Sequence, residues 1–236
     1  MIKIEKTEVF GWEAAIRGMR NPMNSWDKSD SGWGIVDQID TGVEPINVPG
    51  YIIGENDLKL MKNLSKAGTD HSKYLRMINV TFDLTAPLYF LKEWDTYKVS
   101  TVSNSCSTMH KIHEKEFTMD DFSHEHLDCN LQLGLAVDEQ CREDDLAVTA
   151  KSWLEVTISM LNCYRTEYLK THDKLWWWQM IQLLPSSYNQ KRTVQLNYQV
   201  LKSMYHARKT HKLDEWREFC KWCETLPYFT EICIDI

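Results

Sequence analysis

The residues best able to do chemistry lie close together between Ala86 and Thr108, in APLYFLKEWDTYKVSTVSNSCST. Lys98 supplies a cation, the run from Val99 to Thr108 supplies hydroxyls, and Cys106 supplies a thiol. A turn rich in Ser and Thr can present hydroxyl and backbone N–H groups to an anion; solvated loop chemistry gives the same composition. A thiolate at Cys106 would be a competent nucleophile if Lys98 or His71 lowered its pKa, and the plainer reading is a serine-sized filler in a turn. His71, in GTDHS, falls at a helix-to-strand joint, where an imidazole either relays a proton or is satisfied by the backbone.

Other clusters are weaker. His110, His113, His124 and His126 stand among acidic residues but lack the H-E-x-x-H regularity of a metal site. Cys220 and Cys223 form a C-x-x-C inside a helical pattern with no second pair, so no metal is expected. The seven cysteines are scattered and odd in number, which fits reduced thiols. Net charge is −7, from 27 Lys+Arg against 34 Asp+Glu, and this argues against a nucleic-acid backbone or an anionic membrane as the main partner. A small phosphorylated ligand stays compatible with it. MIKIEKTEVF lacks the features of a signal peptide, and no apolar run approaches the roughly 18 residues of a membrane span, so a cytoplasmic protein is expected.

These residues need elements to hold them. Residues 2–10 alternate as a strand and Trp12 to Met19 reads as a short helix. From Arg20 to Gly54, glycines and prolines without periodicity predict a long loop or insertion, and 112–145 reads as another. Asn56 is a candidate N-cap for a helix that Gly68 closes. Ile78, Val80, Phe82 and Leu84 alternate as a half-buried strand, and Pro87, as a first-turn residue, opens a helix from Leu88 to about Tyr97. Three long helices are predicted after that. The first runs from Asp144 to Thr171 with Trp153, Val156, Met160, Cys163 and Tyr164 on one stripe. The second starts near Asp173 and is interrupted at Leu184 and Pro185, and the third runs from about Thr193 to Trp222. The class is α+β, one domain over 1–236, with helices following the strands.

The order of elements and several short matches resemble the flavin-dependent thymidylate synthases (ThyX), which methylate dUMP using FAD and a folate one-carbon donor. The strand Ile78 to Leu84, then Ala86, Pro87 and Trp94, is similar to the segment before that family's Arg-His-Arg, seven residues, Ser signature. Downstream, Leu184-Pro185, Asn197 twelve residues after the proline, Arg208 eleven further on, and Trp216 resemble the family's last motifs, with one inserted residue before Trp216. His71 matches the family's histidine, but Ser72 stands where it has Glu. The signature Arg-His-Arg falls on Thr96, Tyr97 and Lys98, its Ser on Cys106, and the phosphate-binding Arg on Thr108; another family arginine falls on Ile181.

The resemblance implies a ThyX-like fold, a mixed or antiparallel sheet flanked by long helices. It also implies an enzyme acting at C5 of a pyrimidine deoxynucleotide by one-carbon transfer and reduction. Implied catalytic residues are His71, Cys106 and Arg208, with His71, Lys98 and Asn197 toward FAD. Glu93, Ser103, Asn104, Cys106, Thr108 and Arg208 would meet the nucleotide. NADPH and a folate are implied further partners, as is a homotetramer with Trp176, Trp177 and Trp178 near its interfaces. An arginine on a phosphate contributes about 1.5–3 kcal/mol per charge-assisted bond, and Lys98 offers a point charge without the fork. Replacement cations by sequence are Lys92, Lys111, Lys191, Arg192 and Arg208. The loss of Arg-His-Arg motivates the alternative of a catalytically inactive nucleotide-binding or regulatory protein on the same fold.

Overall fold

The computed structural model describes residues 1–39, 42, 45–134 and 147–235. Its class is α+β, as the sequence predicts, with eight strands and seven α-helices among the described residues, distributed over two compact units. One unit comprises Met1–Lys3, Leu84–Thr96 and Asn104–Arg192, and the other Ile4–Asp83, Tyr97–Ser103 and Thr193–Ile236.

The chain opens with β1 (Lys3–Phe10) and α1 (Trp12–Arg20), both where alternation and helical spacing place them. Gly11 joins them at φ 95°, and a Cβ there would lie 2.1 Å from the Met77 carbonyl oxygen, so the joint requires glycine. The stretch read as irregular from 20 to 54 holds two 3-10 turns and an antiparallel hairpin, β2 (Gly32–Ile39) and β3 (Ile46–Ile52), with a bulge between Ile35 and Asp37. Gly32, Gly34, Gly50 and Pro49 read as breakers in the sequence. In a two-stranded ribbon every strand is an edge, where proline is tolerated, and Trp33 opposite Tyr51 supplies an aromatic cross-strand pair.

Helix α2 (Glu55–Lys66) has Gly54 as its N-cap, two residues before the expected Asn56. Asp30 does the capping from outside: its carboxylate accepts from the backbone N–H of Asn56 at 2.9 Å and of Asp57 at 3.1 Å. Gly68 follows the helix at φ 108°, the left-handed stop expected of it. Strand β4 (Asn79–Pro87) buries Val80, Phe82, Leu84 and Ala86 on alternate positions. Pro87 is the N-cap of α3 (Leu88–Trp94) and not its first-turn residue, and the helix stops three residues before Tyr97. The Ser- and Thr-rich segment is partly extended: β5 (Val102–Ser105) is an exposed edge strand where a turn is predicted.

Short strands β6 (Gln132–Gly134) and β7 (Ala147–Thr149) pair antiparallel, and residues 135–145 of the second predicted loop lie outside the described residues. Helix α4 (Ala150–Thr171) buries Leu154, Ile158 and Leu161, while the stripe expected from the sequence faces mostly outward, Trp153 57% and Val156 50% exposed, with its Tyr164 packed against the core. Two apolar stripes run side by side on this helix, and only packing selects between them. The inner stripe joins Ile112, Phe117, Phe122 and Met180 in the core of its unit, against α5 (Lys174–Leu183).

The third predicted helix is three elements. Strand β8 (Asn189–Asn197) precedes α6 (Tyr198–Arg208) and α7 (Asp214–Glu224). Thr193 to Leu196 alternate exposed and buried, a period of two that four residues display too briefly to separate from the helix that follows. The four-stranded sheet has the order β1-β4-β8-β5, so the helices do not simply follow the strands. In the unit holding α6 and α7, the core is aromatic: Trp12 meets Tyr198 edge-on at 5.4 Å, Tyr198 meets Phe229 at 5.3 Å, and Trp216 meets Phe219 at 5.7 Å. The same unit buries an ion pair, Arg20 Nε to Asp57 at 2.6 Å, with Ser29 and Ser31 hydroxyls donating to the carboxylate at 2.7 Å each. Burial alone would raise the Asp57 carboxyl, yet the bonds from Ser31, Ser29 and Arg20 outweigh it and hold the pKa below its ordinary value.

Candidate functional site

Helix α6 organises the predicted site residues of its unit. Asn197 is its N-cap, buried, with its side-chain oxygen accepting the Val200 N–H at 3.1 Å. Tyr198 anchors the first turn, its N–H donating to the Ile78 carbonyl at 3.0 Å and its hydroxyl to the Pro227 carbonyl at 2.7 Å. Ser72 beside His71 donates to Gln199 at 3.4 Å, which ties that turn to the same end of the helix. The His71 side chain is exposed, and its backbone N–H donates to Gly68.

Arg208 lies at the opposite end, and eleven residues at about 1.5 Å each put roughly 16 Å between the two ends. Its guanidinium carbon sits 4.8 Å over the Trp216 ring centroid and 5.6 Å from that of Tyr97, and its Nε–H donates to the Tyr97 hydroxyl at 2.9 Å. Trp216 is fully buried and so offers a fixed platform; Tyr97 is half-buried, 111 residues away in sequence from the arginine it holds. Sequence reading treats Tyr97 as a lost signature residue. Its partnership with Arg208 has no local signal, because no spacing rule links the segment after α3 to the end of α6. Lys98, next to Tyr97, is exposed, as is Ser103 in β5.

In the other unit, Cys106 follows β5. Its N–H donates to the Lys191 carbonyl at 2.9 Å and its carbonyl accepts from the Gln190 side chain at 2.8 Å, so its backbone is fixed to β8 while its thiol is exposed. The thiol borders a cavity of about 260 Å³ lined also by Lys111, Lys115, Phe117 and Tyr188. Both lysines are paired, Lys111 with Glu114 and Lys115 with Asp121 at 2.7 Å. The Ser107 hydroxyl accepts from the N–H groups of Met109 and His110 at 3.2 and 2.8 Å and serves the local turn. Arg192, a proposed replacement cation, makes a fork of bonds to Asp95 at 2.6 and 3.3 Å. Asn104 is exposed, Thr108 half-buried, and Glu93 lies in the last turn of α3, its carbonyl accepting the Thr96 hydroxyl. Among the described residues no three His, Cys, Asp or Glu side chains gather as a metal site, and no helix is long and apolar enough to cross a membrane.

The whole chain has the fold of the flavin-dependent thymidylate synthases. Two solved structures carry that statement with different ligands and organisms. Thymidylate synthase X from Helicobacter pylori, with FAD and dUMP, superposes with a TM-score of 0.64 at 16% identity, covering 100% of this chain and 98% of that one. A UMP/dUMP methylase, PolB from Streptomyces cacaoi, bound with 5-Br dUMP, gives 0.55 at 13% identity, covering 95% and 89%. No protein-family model matches this chain, and no curated protein is similar to it in sequence.

Proposed function

We propose that this protein is a divergent flavin-dependent enzyme that acts at C5 of a pyrimidine deoxynucleotide, dUMP or a close analogue. The observation that carries the reading is the clamped Arg208: a guanidinium stacked on a buried tryptophan and hydrogen-bonded at Nε is held in one orientation, as recognition of a flat, polar pyrimidine requires. Cys106, Ser103, Asn104, Thr108 and Glu93 would meet the nucleotide, and Cys106 would be the candidate nucleophile. FAD fits the donors only in part. His71 and Lys98 expose an imidazole and an ammonium suited to a ring edge and a pyrophosphate, whereas the buried Asn197 already uses its oxygen as a cap. Bound FAD would supply the redox chemistry, with NADPH as reductant and a folate as one-carbon source. A cytoplasmic homotetramer, with the exposed Trp178 and its neighbours near subunit contacts, completes the proposal.

The decisive experiment records the visible spectrum of the purified protein with added FAD and follows dUMP-dependent NADPH oxidation. A flavin spectrum with turnover is the expected result, and a protein that takes up no flavin would overturn it. One observation favours a second reading, an inactive nucleotide-binding protein on the same fold: the thiol at Cys106 stands among cations already paired with carboxylates. Calorimetric binding of dUMP without NADPH oxidation would select it.

A further inference from the structure

A second cavity, of about 730 Å³, lies wholly within the unit that contains α1, the β2–β3 hairpin and the C-terminal turn. Its volume is within the range of small-molecule sites, about 300–1,000 Å³. Five aromatic residues line it, Phe10 and two edge-on pairs: Trp12 with Tyr228 at 5.6 Å and 74°, and Trp33 with Tyr51 at 5.8 Å and 90°. Right-angled rings around one space are a poor stack for a planar ligand but enclose a rounded one from several sides.

The cavity is built by specific means. Tyr228 adopts a left-handed φ of 55°, a conformation that an aromatic residue takes only when its surroundings impose it. The N–H of Ile53, just after β3, donates to its hydroxyl at 3.1 Å, so the polar end of this ring is engaged with backbone and the ring itself lines the cavity. Trp33 is 72% exposed, an unusual cost for the largest side chain unless something covers it.

Charge selects the ligand. The ionic residues lining the cavity are Glu13, Glu231 and Arg17, two carboxylates against one guanidinium. Glu13 and Arg17 are four apart on α1, the spacing and order at which such charges offset each other, so the lining as a whole carries one net negative charge. At Tyr51, burial first, then Glu13 and Asp57, push the phenol above its ordinary value, with Arg17 opposing. Aromatic faces and a carboxylate together attract a cation that sheds water easily, and an alkylated ammonium is the group that does so.

We infer that this cavity binds a small organic cation bearing a quaternary or methylated ammonium group, between Trp33, Tyr51, Trp12 and Tyr228, with Glu231 supplying the counter-charge. The inference is independent of any nucleotide or flavin.

Titration of the full-length protein with choline chloride, followed by tryptophan fluorescence and calorimetry, tests it. 3,3-Dimethylbutan-1-ol, the neutral isostere of choline, and AMP, an aromatic anion, serve as competitors. Saturable binding with about a tenfold or greater preference for choline over the neutral isostere is expected, the size that cation–π and ion-pair attraction together produce. Trp33→Ala should weaken choline binding by about tenfold, and Glu231→Gln should shrink the cation preference several-fold while leaving the isostere unchanged. Arg208→Ala should leave choline affinity as in the wild type. Equal binding of choline and its isostere, stronger binding of AMP, or no saturable choline binding by the folded protein would each overturn the inference. Circular dichroism confirms folding of each variant, and the surface change Glu231→Gln decides the matter if Trp33→Ala does not fold.

Discussion

Arg208 and Cys106 are both residues that the sequence nominates for chemistry, and their surroundings are opposite. Arg208 is held on three counts, by a buried ring beneath it, a second ring beside it and a hydrogen bond to its Nε. Cys106 is held only through its backbone, with its thiol exposed beside lysines paired to carboxylates. A recognition group benefits from a fixed orientation, whereas a nucleophile needs a lowered pKa. Arg208 meets the first requirement through its ring platform and its hydrogen bond. The difference separates a side chain clamped in one orientation from one fixed only through its backbone.

Trp216, the platform beneath Arg208, is where the largest effect is expected. Trp216→Ala removes a fully buried ring and should cost about 3–5 kcal/mol in denaturant unfolding. A loss below about 1 kcal/mol would show that the platform under Arg208 is not rigidly packed. Arg208→Ala comes next: dUMP affinity should fall by at least about tenfold, or 1.4 kcal/mol, while stability changes by less than about 1 kcal/mol. Unchanged dUMP affinity would remove Arg208 from the site. Tyr97→Phe keeps the ring and deletes the hydrogen bond, so a fall of several-fold is expected, smaller than for Arg208→Ala. If Tyr97→Phe equals Arg208→Ala in effect, the hydroxyl contacts the ligand itself.

Thiols away from the site sharpen the contrast. Burial first, then the Glu224 carboxylate, pushes Cys220 from 9.0 up to about 11, and burial pushes Cys233 up to about 12. Above pH about 9 the unfolded chain releases these protons and the folded chain keeps them. The stability from these neutral thiols is therefore complete below pH 9 and falls between pH 9 and about 12. Denaturant midpoints at a series of alkaline pH values check this, and a flat profile would contradict it. The smallest effect belongs to Cys106→Ser, within about 0.5 kcal/mol because the side chain is exposed. In native alkylation with mass-spectrometric readout, Cys106, Cys129 and Cys163 should react while Cys220, Cys223 and Cys233 react only after unfolding.

How much of this was legible follows from the range of each interaction. Strands β1 and β4 and helices α1, α2 and α5 were readable because alternation, helical spacing and a glycine stop act within a few residues. The β2–β3 hairpin was not, since its glycines and Pro49 carry the same signature in a ribbon as in a loop. Strand β8 was hidden by the helix into which it runs at Asn197. On α4, the sequence determined that two apolar stripes exist, and tertiary packing decided that Leu154, Ile158 and Leu161 face inward and Trp153 outward. For the candidate site, the sequence determined the spacing from Pro185 through Asn197 to Arg208 and the residues Thr96, Tyr97 and Lys98 after the helix that Pro87 opens. Only the tertiary structure decided that Tyr97 grips Arg208, because a hydrogen bond between residues 111 apart leaves no trace in local pattern and exists only once α6 and α7 pack.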